Sequence, residues 1–227
     1  RHGWQTILGA QGWFARRHGW QIRREEVLCT TGVVPAVSAV IKAFTRPGDG
    51  VALMTPAYNC FFSSIRNNGC FAAETSLLMG DAGWTIDFAA LEKTLADPRE
   101  KVLLFCSPHN PVGRVWSEEE LRRVGEICLR HGVLVVSDEI HSDFTREGHS
   151  HTVFAKLGTE FEQNCLICTA PSKTFNLAGL QISNIFVPNP ELRKKLLKEI
   201  AAAGYSQVGL ISVCICYHSI QVCGHGV

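Results

Sequence analysis

Three short polar segments of this chain each follow a short β-branched or apolar run, and each presents a residue with chemistry to offer. Ser107-Pro108-His109-Asn110-Pro111 follows residues 102–106, and Ser137-Asp138-Glu139-Ile140-His141 follows 133–136. Thr169-Ala170-Pro171-Ser172-Lys173-Thr174-Phe175-Asn176 follows 166–168. A carboxamide, a carboxylate and an amine are thus presented in order from the ends of three successive predicted strands. In open α/β sheets, ligands bind outside the carboxyl ends of the strands. A buried lysine can form a Schiff base with a carbonyl group, and a buried carboxylate can keep a heteroaromatic nitrogen protonated.

The elements that must position these groups alternate in type. Residues 27–30 read as a short extended piece, and Gly32 opens a helix with Pro35 in its first turn. The apolar positions of that helix, Val37, Val40, Ile41 and Phe44, recur at helical spacing. Residues 51–54 read as a buried strand, and Thr55-Pro56-Ala57-Tyr58 leads into a helix that breaks at Asn67-Asn68-Gly69. Residues 71–78 read as one extended piece, followed by a polar turn over 80–83 and a helix from Asp87 to Leu95. The next strand is expected over 101–106. Ser117 and Glu120 form a capping box for a helix that His131-Gly132 stops. Strands are predicted again over 133–137, 166–169 and 184–187, with a last capped helix over 190–203. Strands alternating with helices imply an α/β fold, with a mainly parallel sheet covered by helices on both faces in a three-layer αβα arrangement.

Composition sets the bounds. The chain has 227 residues, enough for one sizeable core, and 46% of them are hydrophobic against 19% charged. A formal net charge of +1 gives no electrostatic case for nucleic acid as a partner. No apolar run reaches the length of a membrane span, so no membrane partner is expected. Most of the ten cysteines sit within or beside apolar runs, which reads as buried free thiols in a cytoplasmic protein. Cys214, Cys216, His218, Cys223 and His225 have metal-ligand types but match no standard zinc spacing, so no metal is expected.

Lys173 and Asp138 are the two groups a pyridoxal 5′-phosphate (PLP) site needs. The strings TTGVVPAV, RPGDGV, TPAY, CSPHNPVGRVW, VVSDEIH and TAPSKTFNLAGLQ occur here in order. Together they resemble fold-type-I PLP enzymes of the class I/II aminotransferase superfamily, and within it the cystathionine β-lyase (carbon–sulfur lyase) branch. The resemblance runs from about Gly19 to about Val213. It implies that Lys173 carries the cofactor as a Schiff base and moves the substrate Cα proton. It also implies that Asp138 faces the pyridine nitrogen and that Asn110 binds the ring's phenolic oxygen. His141 stands where many relatives carry a tyrosine reaching the same oxygen, and a structural histidine is the competing reading. Tyr58 would stack on the ring. The backbone N–H groups of Gly32, Val33 and Val34 at a helix start, with the hydroxyls of Ser172 and Thr169, would bind the phosphate. Many aminotransferases place a phosphate-binding arginine eight residues after the lysine, where this chain has Gln181. That departure fits the lyase branch. His109 and Asn176 lie in the same motifs without an assigned role.

The reaction implied is β-elimination from L-cystathionine or a related L-cysteine S-conjugate, giving a thiol, pyruvate and ammonia. The small-molecule partner is an amino acid, and the resemblance implies a homodimer for the full-length protein. An aminotransferase shares every cofactor residue above and is the alternative enzyme reading. A PLP-binding sensor domain of a transcription regulator is an alternative from another class, though no basic DNA-binding segment accompanies it. The chain also reads as a fragment, which leaves an inactive polypeptide as a further alternative. Residues 1–213 are expected to form a PLP-binding large domain incomplete at its N-terminus, and 214–227 an aberrant or truncated tail. The family's C-terminal small domain, which carries an arginine for the substrate carboxylate, is expected to be missing.

Overall fold

The computed structural model describes residues 3–81 and 83–203. The proposed boundary at residue 213, the tail 214–227 and its cysteines lie outside the described residues. In chain order the elements begin with helix α1 (Gly3–His18), strand β1 (Val27–Thr30), α2 (Val33–Phe44), β2 (Gly50–Thr55) and α3 (Asn59–Asn67). They continue with β3 (Phe71–Ser76), β4 (Leu78–Gly80), β5 (Gly83–Thr85), α4 (Phe88–Leu95) and β6 (Glu100–Cys106). Then come α5 (Glu118–His131), β7 (Leu134–Asp138), α6 (Thr159–Glu162), β8 (Cys165–Thr169), α7 (Pro171–Thr174), β9 (Ser183–Phe186) and α8 (Pro190–Ala202).

Seven strands form the main sheet in the order β1-β9-β8-β7-β6-β2-β3. Pairing is parallel from β3 through β8, and antiparallel on both sides of β9. The reversal has a local cause. The link from β8 to β9 contains only the four-residue α7 and a 3₁₀ turn, too little helix to carry the chain back for a parallel return. Because β9 reverses twice over, β1 runs parallel to β8. The start of α2 therefore emerges at the same sheet edge as the loops after β2, β6, β7 and β8.

Alternation along the strands builds two cores. On β2, Val51 and Leu53 face one side while Ala52 and Met54 face the other, and on β6 Val102 and Leu104 oppose Leu103 and Phe105. One face is covered by α2, α3 and α8 through Val37, Ile41, Phe61, Leu196 and Ile200. The other is covered by α1, α4 and α5 through Phe14, Leu91, Leu95, Leu121 and Val124. A sheet buried on both faces explains why its central strands read as continuous apolar runs.

The expected capping box is present, with Ser117 Oγ accepting from Glu120 N–H at 3.1 Å and Glu120 Oε2 accepting from Ser117 N–H at 2.7 Å. Gly132 ends α5 in the left-handed region at φ 66°. One sequence expectation needs correction. The single extended piece over 71–78 is divided at Leu77, whose side chain turns into the core, and β4 leaves the main sheet to pair with β5 in a hairpin. The turn around Gly80–Gly83 was legible, but the short flanking strands were not. Among the described residues no helix is long and apolar enough to cross a membrane, and no cluster of His, Cys, Asp or Glu is arranged to hold a metal ion.

Candidate active site

Strand register fixes the centre of the site. Cys106 on β6 pairs with Asp138 on β7, and Asp138 pairs with Cys168 on β8, so three strand ends lie level at one sheet edge. Beyond that edge is a cavity of about 220 Å³ lined by Val33, Val34, Tyr58, Phe61, Asn110, Asp138, Ile140, His141, Ser172 and Lys173. The structure thus brings together most of the residues that the sequence nominates, from five separate loops or helix starts.

Asp138 lies at the base of this cavity, with 5% of its surface exposed. Its Oδ1 accepts from Ile140 N–H at 3.2 Å. Burial pushes its carboxyl up to about 7; that one backbone donor, and the more distant Lys173 charge, offset the burial only in part.

Lys173 lies in the single helical turn α7, which Pro171 opens. Its side chain is exposed on the open side of the cavity, not buried as the sequence reading expects. It is carried on a four-residue turn at the sheet edge rather than within a longer helix packed on the sheet. His141 is half-buried, and burial together with the nearby Lys173 charge holds its imidazole below the usual histidine range. It is therefore neutral at pH 7 and able to donate a hydrogen bond.

Asn110 is held by its backbone. Its N–H donates to Cys106 Sγ at 3.3 Å, and the Cys106 thiol donates to Pro108 O at 3.2 Å. Tyr58 is the residue before α3, and its ring meets Phe61 edge-on at 5.8 Å between centroids. His109 joins the two loops by donating from Nε2 to Pro56 O at 3.0 Å. On the same side, a second cavity of about 260 Å³ shares Asn110 and His141 and adds Pro108, Pro111 and Phe144.

Gly32 precedes α2 and provides no side-chain cap, leaving the first N–H groups of that helix directed outward beside Val33 and Val34. Ser172 lines the cavity with them. Thr169 does not. It ends β8 in a separate small cavity with Trp13, Asp143 and Asn184, and its buried Oγ1 has no hydrogen-bond partner among the described residues. Ala170 lines the same small cavity, and the chain reaches the main one only at Ser172. Gln181 is exposed, in the left-handed region at φ 49°, and does not line the main cavity.

Sequence reasoning missed a buried polar layer beneath these loops. Glu139 accepts from Ser137 Oγ at 3.0 Å, from His151 Nε2 at 2.7 Å and from Phe154 N–H at 2.9 Å. Asp143 accepts from Trp13, His18 and Thr174. The Asp143 donors are far from it in sequence, so no local spacing signals them. The one available hint was the density of polar residues in 137–151.

The comparisons with known proteins agree with this geometry. The chain is 44% identical over 202 residues to "Cystathionine beta-lyase PatB" of Bacillus subtilis, covering 89% of this chain and 52% of that protein. It is 33% identical over 188 residues to "Protein MalY" of Escherichia coli, covering 83% and 47%. The solved structure of cystalysin from Treponema denticola, which contains a pyridoxal 5′-phosphate cofactor, superposes with a TM-score of 0.94 at 40% identity. That match covers 97% of this chain and 56% of cystalysin. The chain spans about half the length of the curated relatives it matches. With a family model matched over residues 10–215, the chain belongs to the aminotransferase class I and II family.

Proposed function

We propose that the complete protein is a PLP-dependent carbon–sulfur β-lyase acting on L-cystathionine or related L-cysteine S-conjugates. The observation that carries the reading is Asp138, a carboxylate that burial pushes up to about 7, facing the same cavity as a lysine amine, where a cationic partner would favour its ionised form. A protonated pyridine nitrogen supplies that partner. The remaining lining fits the rest of the cofactor: helix N–H groups at Val33 and Val34 and the Ser172 hydroxyl for a phosphate, and Tyr58 for a ring face. Asn110 and neutral His141 are donors for a phenolic oxygen. Bound PLP supplies a Schiff-base carbonyl and a sink for electrons released at the substrate Cα.

The chain's own residues do the rest. The Lys173 amine holds the cofactor and takes the Cα proton on Nζ. Asp138, ionised against the pyridinium, keeps the sink protonated. Asn110 and His141 would hold the ring in place through hydrogen bonds to its phenolic oxygen. In the overall reaction an S-conjugate and water give a thiol, pyruvate and ammonia. The electron pair left by the Cα proton forms the Cα–Cβ double bond, and the Cβ–S pair departs with sulfur.

A homodimer of the full-length protein and a cytoplasmic location belong to the same proposal. Exposed Tyr58, Leu78, Met79 and Phe144 leave apolar surface for a second copy to cover. The cysteines at 29, 60, 70, 106, 128, 165 and 168 are all free thiols, which supports a reducing compartment.

The test begins with PLP and borohydride, followed by mass spectrometry. Pyridoxyl label concentrated at Lys173 and lost in Asp138→Ala is the expected result. Label spread over surface lysines would overturn the assignment. Pyruvate and free thiol from an S-conjugate, with no requirement for a keto-acid acceptor, would then separate lyase from aminotransferase.

A further inference from the structure

We infer that Asp143 is a positioning residue for Lys173, acting through the Thr174 hydroxyl. This rests on the reading of Lys173 as the cofactor lysine. Thr174 is the neighbour of Lys173 in α7, and its Oγ1 donates to Asp143 Oδ2 at 2.7 Å. Asp143 belongs to the loop that follows Asp138, the last residue of β7, and that also carries His141. The bond therefore ties the loop following the Asp138 carboxylate to the turn holding the amine, across strands adjacent in the sheet.

The acceptor is itself fixed. Trp13 Nε1 donates to both oxygens of Asp143 at 3.1 and 3.2 Å, and His18 Nε2 lies 3.0 Å from Oδ1. Burial alone would raise the Asp143 carboxyl, but the donors His18, Thr174 and Trp13 outweigh it and hold it below the usual carboxylate range. Its side chain is 11% exposed, so these bonds are shielded from water. The α7 turn is one turn long, ends at Thr174, and is followed by Asn176 in the left-handed region at φ 53°. Its backbone hydrogen bonds are local, from Phe175 N–H to Pro171 O and from Leu177 N–H to Ser172 O. The contact of Trp13 with Phe175, edge-on at 5.1 Å, reinforces the same attachment to α1. An exposed lysine on a single turn has many orientations available. Fixing the residue beside it in space limits where the amine points.

The test uses this chain with Thr174→Val, Thr174→Ser and Asp143→Asn. Valine keeps the shape and removes the hydroxyl, serine restores the hydroxyl, and asparagine replaces one accepting oxygen by a donor. Without cofactor, amide exchange over residues 171–177 is expected to quicken about fivefold in Thr174→Val and Asp143→Asn, with α8 unchanged as a control. With PLP and borohydride, labelling at Lys173 is expected to slow about tenfold in both, while Thr174→Ser stays within about twofold of the parent. Thr174→Ala replaces the valine variant if the latter fails to fold by circular dichroism. Parent-like labelling in Thr174→Val overturns the inference. So does slow labelling in Thr174→Ser, which would assign the effect to the methyl group. Absence of label in the parent chain instead overturns the cofactor-lysine reading, and the positioning role with it.

Discussion

His109 donates from Nε2 to the carbonyl oxygen of Pro56 at 3.0 Å, joining the loop that carries Asn110 to the loop that carries Tyr58. The ring is 3% exposed and packs edge-on against Trp116 at 5.7 Å between centroids. Burial pushes its pKa down, more strongly than the backbone contact raises it, so the imidazole stays neutral with its proton on Nε2. Two loops proposed here to touch the cofactor, leaving the paired strands β2 and β6, thus depend on one neutral histidine. Replacing it by alanine leaves Pro56 O without its partner and is expected to cost about 1–3 kcal/mol. PLP affinity, measured by absorbance titration, is expected to fall about tenfold in His109→Ala and to recover partly in His109→Gln, which keeps a donor.

Asp138 makes the cofactor-free protein sensitive to pH. Its folded pKa, about 7, lies above its ordinary value of 3.8. Stability linked to this group is therefore fully present below pH 4 and is lost as the pH rises through 7. Asp138→Asn removes the ionisation. Denaturant titrations of the two cofactor-free proteins are expected to show the asparagine variant gaining on the parent by about 2 kcal/mol between pH 5 and pH 8. Equal pH profiles would contradict the burial of this carboxylate. PLP binding, in contrast, is expected to be weaker in Asp138→Asn.

Glu100, at the start of β6, has the same sign for a reason unconnected with function. Burial, with Asp97 nearby, pushes it up to about 7, and Oε2 has no hydrogen-bond partner among the described residues. Its carboxylate lies against Gly50, where no side chain would fit. Glu100→Gln is expected to raise stability by about 1 kcal/mol at pH 8, after allowing for solvent screening on its open side. The gain should vanish near pH 4, as followed by the thermal midpoint at each pH.

Gly125 reverses an ordinary expectation for helices. Alanine in a helix interior normally stabilises by about 1 kcal/mol over glycine. In α5, however, a Cβ at this position would lie 2.5 Å from Phe161 Cδ1 and 3.2 Å from Phe154 Cζ. Gly125→Ala is expected to destabilise by about 1–3 kcal/mol, because both rings are buried and have nowhere to move. Chemical denaturation would measure it, and a stabilised variant would show that the rings can shift.

Legibility followed the range of the physical signal. Helices with caps and stops within a few residues, such as α5 between Ser117 and Gly132, could be read directly. So could strands buried on both faces, such as β6. The shared placement of Asp138, Asn110 and Lys173 was legible because each lies at the end of such a strand or within four residues beyond it. The β4–β5 hairpin was not, since its three-residue strands are too short to show alternation. Lys173 was expected to be buried because an apolar strand precedes it, but the turn carries it out over the sheet edge. Asp143 escaped notice because its donors come from α1 and α7, at positions 13, 18 and 174.

The reversed strand β9 also sets the order in which the site can be assembled during synthesis. Among the described residues β1 has its strand pairing with β9 alone, and β1 leads directly into the helix start beside the cavity. Until Ser183–Phe186 has left the ribosome, Val27–Thr30 has no hydrogen-bonded neighbour to hold it at the sheet edge. The groups at residues 33–34, among the earliest made, wait for some of the last described residues before they can act. A nascent chain that has already released Lys173 would still lack a fixed position for the N–H groups proposed here to bind a phosphate. On the proposed function, cofactor capture becomes a late event, reserved for chains whose central sheet is finished.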